Sequence, residues 1–360
     1  MRRRTRALPI VLAVLLMAAA IALAVFLRRR APPEPARLLP GADAFVYVNV
    51  KAIRNADSLG NLAPVSHDPE YDQFIRETGF QFERDLDSAA FAVHYPSAQP
   101  GALNPATGNP AQDQPRFSEV FVGHVDADRV NAYLKKISRQ QEIYRGVQIF
   151  VIPLEGRTVR AALLGVREVA VSNTEGTQAI HGIIDRYKKL ASPFAGPQLL
   201  RAYYKKLPHD SLAWAIVTGP TGTLATPMQL PSTILGNEYR DLLSGAVILA
   251  SLHYHDAVQL RAEAFCPSED KASRLADRLG IFVELFRGMQ SNLAPGVGDQ
   301  DVKQFFDSLR VEQQGKQAIL TASVPVGFIK KAVAEGPPAA APAPEPTPAA
   351  PPKRKNRKHH

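Results

Sequence analysis

The chain has 360 residues, of which 45% are hydrophobic, and this length allows about two globular domains that each bury a core. A single cysteine, Cys266, excludes an internal disulfide framework and a zinc site built from cysteines. The net charge of +9 belongs to the ends of the chain, because seven Arg lie in residues 1–30 and five Lys and Arg in residues 336–360. The middle is close to neutral, which argues against nucleic acid as a partner.

The first predicted element is a membrane-spanning helix. Residues 7–27 carry no charge and have arginines on both sides. A helix of that length crosses a hydrocarbon core of about 30 Å, whereas a cleaved signal peptide has a shorter apolar region. We therefore predict that residues 1–30 form an uncleaved signal anchor and that the protein crosses the lipid bilayer once, through residues 7–27. The small excess of arginine before residue 7 predicts a cytoplasmic N-terminus with the bulk of the chain outside.

After a linker at residues 31–36, the sequence predicts two similar halves, at 37–190 and 200–335. Each half begins with Leu-Pro and an alternating strand, at Phe45–Val50 and Leu212–Val217. In each, Arg-Asp-Leu then precedes a strand that ends in His-Tyr, and a third strand leads into an amphipathic helix. This shared order predicts an α+β fold made by duplication, with two similar halves of antiparallel sheet and helices packed on one face. Residues 97–116 are predicted to form a flexible loop.

Apolar stripes predict the helices and the residues that they bury. A helix at 128–137 presents Val130, Leu134 and Ile137, and a matching helix that begins at 269 presents Leu275, Leu279 and Phe282. Ser172 to Glu175 resembles a capping box, which predicts a helix that buries Ile180, Ile183, Ile184 and Tyr187. Pro325 can begin a last helix.

The anchor, the Leu-Pro-x-x-Ala opening strand at 39–50 and the segment Thr78-Gly-Phe-Gln-Phe-Glu-Arg-Asp-Leu86 resemble a family of uncharacterised bacterial membrane-anchored proteins, a domain of unknown function. The resemblance covers residues 37–190 and, more faintly, 200–335. It implies an architecture and a location in the bacterial inner membrane, with the bulk of the chain periplasmic or extracytoplasmic. It implies no activity.

The best chemical candidate is His253-Tyr254-His255-Asp256. Residues two apart on a strand share a face, so His253 and His255 could bind one metal ion. A third ligand would have to come from elsewhere, from Glu263, His94 or His124. The competing interpretation is a strand end followed by a hairpin turn. Two further carboxylate pairs, Asp85 with Asp87 and Asp126 with Asp128, are predicted to cap helices or form turns.

Residues 336–360 form a predicted disordered arm. Eight prolines in residues 336–352 favour an extended polyproline II conformation. The arm ends in five cations: Lys353, Arg354, Lys355, Arg357 and Lys358. This cluster predicts binding to an anionic surface, either lipid or cell-wall polymer, and a solvated tail is the alternative interpretation.

The sequence has no nucleotide-binding glycine loop, no nucleophile elbow and no zinc-protease motif. We therefore expect a non-enzymatic envelope scaffold or binding module without a cofactor, whose protein partner the sequence does not name. One alternative is a metal-dependent hydrolase that uses His253 and His255. Another is a regulator that contacts other membrane proteins through its helix.

Overall fold

A computed structural model describes residues 31–56, 67–95, 116–154, 157–190, 196–219, 239, 241–254, 257–291 and 300–327. The predicted anchor, His255, the predicted helix beyond residue 327 and all five cations of the basic tail lie outside these residues. Among the residues that are described, no helix is long and apolar enough to cross a membrane.

The described strands form one antiparallel sheet of twelve strands, in the order β11-β12-β10-β9-β8-β1-β2-β3-β7-β6-β5-β4. Their bounds are β1 Ala44–Val48, β2 Leu86–His94, β3 Arg116–Gly123, β4 Gln140–Tyr144, β5 Val147–Leu154, β6 Arg157–Leu163, β7 Glu168–Ser172, β8 Ala213–Thr218, β9 Val247–Tyr254, β10 Val258–Phe265, β11 Arg310–Gln314 and β12 Gln317–Val324. The prediction of an α+β fold with antiparallel sheet is confirmed. Arg116, assigned to the flexible loop, is instead the first residue of β3.

Nine described helices accompany the sheet. They are α1 Glu34–Leu38, α2 Val50–Asn55, α3 Pro69–Thr78, α4 Phe82–Asp85, α5 Ala127–Ile137, α6 Gln178–Tyr187, α7 Gln198–Tyr203, α8 Glu269–Ser291 and α9 Gln300–Ser308. A 3₁₀ turn, Tyr204–Lys206, follows α7 directly.

The two predicted halves share this sheet, because β1 pairs with β8 at its centre. Phe45 lies opposite Ile216, and Tyr47 lies opposite Trp214. The rings of Tyr47 and Trp214 stack with centroids 5.6 Å apart. Both strands are therefore central strands, with neighbours on each side, and the core is continuous across them.

Helices cover both faces of the sheet, so the prediction of helices on one face was wrong. Ile149 and Ala162 pack in the cluster that α1, α6 and α7 cover, whereas Phe150 and Ala161 pack against α5. We call these the α6 face and the α5 face. On the α5 face, α8 and α9 cover β10–β12. The physical reason is that several strands are apolar on both sides, and such strands need cover on both faces.

Two predicted boundaries were also wrong. Val50 begins α2 and does not end a strand, because the side chain of Asn49 accepts a hydrogen bond from the amide of Ala52 at 2.9 Å and caps the helix. Ser172 to Glu175 is not a capping box: Ser172 ends β7 and α6 begins at Gln178. The hydroxyl of Ser172 instead lies 3.1 Å from that of Ser118 on the neighbouring strand. The predicted burial of Ile180, Ile183 and Ile184 is confirmed.

Candidate ligand-binding pocket

A cavity of about 160 Å³ lies on the α5 face, between α3, α4, α5 and the sheet. Its lining exposes carbon surface and no polar surface. The lining residues are Phe74, Phe80, Phe82, Phe121, Gly123, Val125, Val130, Tyr133, Leu134, Ala161, Val169 and Val171. This cavity is the candidate functional site, which we call the aromatic pocket.

The α3 helix and its two caps bring the aromatic rings of the pocket together. Asp68 accepts a hydrogen bond from the amide of Tyr71 at 2.7 Å and begins the helix. Gly79 ends it with φ of +72°, a conformation that glycine adopts without strain. The chain then turns back, so that Phe74 stacks on Phe82 at 5.8 Å and meets Phe80 edge to face at 6.4 Å.

The α5 helix forms the opposite wall. Asp126 caps it by accepting a hydrogen bond from the amide of Arg129 at 3.1 Å, which confirms the predicted cap. Val130 and Leu134 are buried as predicted. Tyr133 meets the ring of Phe74 edge to face at 5.5 Å, so that α3 and α5 are in contact beside the pocket.

Charged side chains of α5 connect the same two helices on their solvent-exposed side. Arg129 donates to the carbonyl oxygens of Arg76 at 2.5 Å and Glu77 at 3.2 Å, two of the last carbonyls of α3. Lys136 pairs with the carboxylate of Glu77 at 2.8 Å. These side chains of α5 therefore fix the position of α3 relative to α5, the two helices that form walls of the aromatic pocket.

Gly123 lets α4 approach the end of β3. A Cβ atom at this position would overlap the carbonyl oxygen of Asp85. The amide of His124 donates to that same carbonyl at 2.8 Å. A side chain at residue 123 would therefore force the end of α4, and Phe82 with it, away from the sheet.

Hydrogen bonds beside the pocket orient Tyr71. Its hydroxyl donates to the Glu83 carboxylate at 2.8 Å and accepts from the amide of Phe82 at 2.8 Å. Burial and the adjacent carboxylate raise the pKa of Tyr71 to about 12, so the phenol stays protonated. Burial also raises the pKa of Tyr133, which lines the pocket. The pocket therefore presents no group that exchanges protons near neutral pH, and its chemistry is apolar contact.

The structure does not bring the predicted metal ligands together. His253 is the penultimate residue of β9, with Gln259 opposite it on β10. Glu263 lies four residues further along β10, roughly 13 Å away along the strand. His124 follows β3, which is four strands from β9 and roughly 19 Å across the sheet. A zinc–nitrogen bond is about 2 Å long, so these residues cannot share an ion.

His94 is equally remote from His253. His94 ends β2 and His253 lies at the end region of β9, and these strands run in opposite directions. The two residues are therefore roughly 20 Å apart along the strand direction, and three strands apart across the sheet. Within the described residues, no group of three His, Cys, Asp or Glu side chains could hold a metal ion. The role predicted for His253 with His255 remains a prediction, because His255 lies outside the described part of the chain.

Ser118 and His94 are a hydroxyl and an imidazole in contact, with the Nε2 atom 3.2 Å from Oγ. Burial lowers the pKa of His94, and nearby Asp43 acts in the opposite direction. The pair has the spacing of a nucleophile and its base. However, Ser118 is 0% exposed and its oxygen also contacts Ser172, so no substrate can reach it. This network is structural.

Asp87, predicted to form a cap or turn, lies on β2 inside a charged cluster, and that prediction was wrong. It is 8% exposed and pairs with Arg167 and, at 3.5 Å, with Arg54. Arg54 also donates to the carbonyl oxygen of Leu86 at 2.5 Å. The cause is that α4 ends at Asp85 and β2 begins immediately, which places Asp87 on a buried strand.

Sequence reasoning missed the aromatic pocket. The available signal was the density of aromatic side chains in a short segment, at Tyr71, Phe74, Phe80 and Phe82. The pocket also needs Phe121 and the α5 wall, which lie some 40 to 60 residues further along the chain and are brought near by packing.

The sequence matches no protein-family model and no curated protein. Among solved structures, the chain is similar to TP0453, a Treponema protein. Crystal form I of TP0453 has a TM-score of 0.40 and 8% identity, covering 84% of this chain and 97% of that chain. Crystal form III has a TM-score of 0.37 and 9% identity, covering 84% and 99%. A likeness this distant carries no information on function.

Proposed function

We propose that the protein is a membrane-anchored, non-enzymatic binding module of the bacterial envelope, and that the aromatic pocket receives one apolar side chain of a partner protein. The observation that carries this proposal is the lining of the pocket, which exposes carbon surface only. An active site would need a proton-transfer group, a nucleophile or a metal ligand in its wall. Burial of an apolar group against an apolar wall is favourable, because it removes apolar surface from water.

The size of the pocket favours a side chain over a cofactor or metabolite. Sites for drug-sized ligands occupy about 300–1,000 Å³. The aromatic pocket has about 160 Å³, close to the roughly 150 Å³ of an engineered apolar cavity that binds benzene. One aromatic or branched aliphatic side chain fills such a volume. Burying it contributes about 1.5–3 kcal/mol, which is typical of an anchor residue in a protein interface.

The location belongs to the same proposal. Residues 7–27 anchor the chain in the inner membrane, with the folded region outside the cytoplasm. The arm at 336–360 carries its five cations to lipid headgroups or to an acidic cell-wall polymer, at a distance that the proline-rich segment sets. The anchor, the arm and the pocket would then hold a partner close to the membrane.

We further propose that the two halves arose by duplication. The pairing of the central strands is symmetric, because Ala44 pairs with Val217 and Val48 pairs with Ala213. If Ala44 is matched to Ala213 and Val48 to Val217, a two-fold axis through the sheet exchanges β1 and β8.

The same match extends to the neighbouring strands. Ala44 also pairs with Val93, and Ala213 with Leu252. Val93 and Leu252 therefore take equivalent places, and the His-Tyr pairs at 94–95 and 253–254 fall in register. The Leu-Pro pairs of the sequence comparison are one residue out of this register, a difference that the turn before each strand absorbs.

Benzene tests the aromatic pocket directly, since it is an apolar ring of the right size. A ligand that binds the folded state stabilises the protein by about 1.4 kcal/mol at ten times its Kd. We expect benzene to raise the Tm of the full chain in detergent. Ala161→Phe, which places a ring in the pocket, should abolish that increase.

The control is Val166→Phe, which adds the same ring at a residue that is 75% exposed in the β6–β7 turn. This variant should keep the full response to benzene. The proposal is contradicted if benzene leaves the Tm of the unmodified chain unchanged, or if a folded Ala161→Phe variant responds as strongly.

A further inference from the structure

The helices of the α6 face carry an excess of basic side chains. The cations of α1, α6, α7 and the segments that follow them are Arg37, Arg186, Lys188, Lys189, Arg201, Lys205 and Lys206. The acidic residues of the same segments are Glu34, Asp43, Asp185 and Asp210. We call this surface the basic face. It contrasts with the folded middle of the chain as a whole, which is close to neutral.

The three helices are neighbours, with α1 between the other two. Arg186 of α6 donates to the carbonyl oxygen of Leu38 at 3.3 Å. On the other side, a Cβ atom on Gly196 would lie 3.8 Å from Cα of Arg37, and Gly196 also adjoins Leu200 of α7. The cations of all three helices therefore surround α1, at the place where the chain enters the folded region.

Most of this positive charge is not used inside the fold. Lys188, Lys189 and Lys205 are exposed and form no ion pair with any residue that the structure describes. The nearby carboxylate of Asp185 is engaged elsewhere, 3.6 Å from Arg145 and 3.1 Å from the hydroxyl of Tyr144.

Arg37 and Lys206 differ from these three lysines in their contacts. The Nε atom of Arg37 is buried and has no hydrogen-bond partner among the described residues. The Nζ atom of Lys206 lies 4.0 Å from the centroid of the Phe265 ring, so its charge is partly satisfied by an aromatic face. An anion at this surface would therefore meet Lys188, Lys189, Arg201 and Lys205 first.

The position of α1 in the chain indicates that the basic face lies near the membrane. Only residues 28–30 separate the predicted membrane span from Ala31, the first described residue. Four Cα–Cα steps reach at most about 14 Å. The polar headgroup layer on each side of a bilayer is roughly 5–8 Å thick. A chain anchored through residues 7–27 therefore places Ala31 within about 10 Å of the headgroup layer. The helix α1 begins three residues later, at Glu34, and so lies near the membrane surface.

We propose that the basic face rests on the anionic lipid headgroups of the membrane in which the chain is anchored. Lys188, Lys189, Arg201 and Lys205 contact lipid phosphates and fix the orientation of the folded region. The aromatic pocket, on the opposite side of the sheet, then faces away from the membrane toward partner proteins. The proposal rests on the anchor of the proposed function and adds the orientation and the lipid class.

Lysine footprinting of the full chain in vesicles tests this orientation. The chain is reconstituted in phosphatidylcholine alone or with phosphatidylglycerol, lysines are acetylated briefly, and mass spectrometry reads each site. We expect Lys188, Lys189 and Lys205 to react at least about threefold more slowly in the anionic vesicles, and high salt to remove the difference. Lys135 and Lys303, exposed on helices of the α5 face, serve as internal controls that react equally in both.

A charge-reversed variant provides a second test of the same orientation. Lys188→Glu with Lys189→Glu changes two exposed side chains, and it should remove the lipid-dependent protection of Lys205. The matched variant, Lys135→Glu with Lys303→Glu, should retain that protection.

The outcomes separate the orientation from the anchor. Flotation of the chain with phosphatidylcholine vesicles after carbonate extraction reports the anchor alone, and a chain that stays in the soluble fraction contradicts the anchor. A chain that floats but shows the same labelling of Lys188, Lys189 and Lys205 in both lipids contradicts the basic face alone. Protection of Lys135 and Lys303 in place of these lysines would overturn the orientation as well.

Discussion

His94 and His253 lie near the ends of β2 and β9, the strands that neighbour the central pair, and both side chains are partly buried on the α6 face. Burial lowers the pKa of each, since it disfavours the charged imidazolium. The Nε2 atom of His94 also contacts the hydroxyl of Ser118. The folded protein therefore favours the neutral form of His94.

This preference makes stability depend on pH. In the unfolded chain a histidine has a pKa of about 6.5, so below that pH the unfolded state takes up a proton that folded His94 resists. The free energy of unfolding is therefore retained above pH 6.5 and falls as the pH is lowered further. One such group contributes a slope of at most about 1.4 kcal/mol per pH unit.

Urea unfolding at about pH 7.5 and about pH 5.5 measures the effect of that histidine. We expect His94→Gln to reduce the loss of stability on acidification relative to the unmodified chain. An equal pH dependence in the His94→Gln variant and the unmodified chain would show that His94 is not the responsible group.

At the scale of single residues, sequence reasoning succeeded where local chemistry decides the outcome. Asp126 caps α5 as predicted. It failed for Asp87, because the partners of that carboxylate, Arg54 and Arg167, lie 33 and 80 residues away in the chain. No local pattern reports contacts at such separations.

At the scale of elements, periodicity identified the helices and their inward residues. The apolar stripe of α5 led to Val130 and Leu134, and that of α6 led to Ile180, Ile183 and Ile184. The start of α6 was predicted wrongly because the hydroxyl of Ser172 could either cap a helix or form a hydrogen bond within the sheet. In the structure it bonds to Ser118 on the neighbouring strand. The helix α8 extends to Ser291, beyond Phe282, the last residue of its predicted apolar stripe.

The contact between α3 and α5 yields a prediction at this scale. Arg129→Ala removes two hydrogen bonds to the last carbonyls of α3 and leaves those carbonyls to solvent. We expect a loss of about 1–2 kcal/mol, because bonds from a charged donor are stronger than neutral ones. Amide hydrogen exchange should accelerate in α3 and remain unchanged in α6, on the other face of the sheet.

Arg274→Ala is the matched control for that variant. It removes an arginine whose ion pair, with Asp270, is exposed and confined to α8. Such pairs contribute about 0.3–0.5 kcal/mol. Similar exchange rates of α3 amides in both variants would mean that Arg129 does not hold the α3 wall of the aromatic pocket.

At the scale of the whole molecule, the joining of the two halves into one sheet was not predictable. The strands β1 and β8 were both expected as strands, but their pairing connects residues about 170 positions apart. Any two apolar strands satisfy the same local pattern, so only the packed core selects this pair. That core draws on both halves, with Phe45 and Ile180 from one and Trp214 and Leu249 from the other.

A shared core predicts that the two halves unfold together. Ile216→Pro should uncouple them, because the amide of residue 216 faces β1, and proline there removes a ladder hydrogen bond between the two halves. Calorimetry should show one transition for the described fold of the unmodified chain and two for this variant.

Ile143→Pro provides the comparison, since it lies on the edge strand β4 and interrupts the sheet only at its end. That variant should keep a single transition. Two transitions in the unmodified chain would mean that β1 and β8 do not couple the halves.

The central claim is that the aromatic pocket holds an apolar side chain of a partner protein, and photo-crosslinking in cells tests it most directly. Phe82 lines the pocket and is 39% exposed, so p-benzoylphenylalanine at this position would touch a bound partner. The account predicts a protein crosslink from residue 82 that disappears when Ala161→Phe fills the pocket, and that the same label at the 57% exposed Leu154 does not produce. A crosslink of unchanged yield in the filled variant, or the absence of any protein crosslink from residue 82, would contradict it.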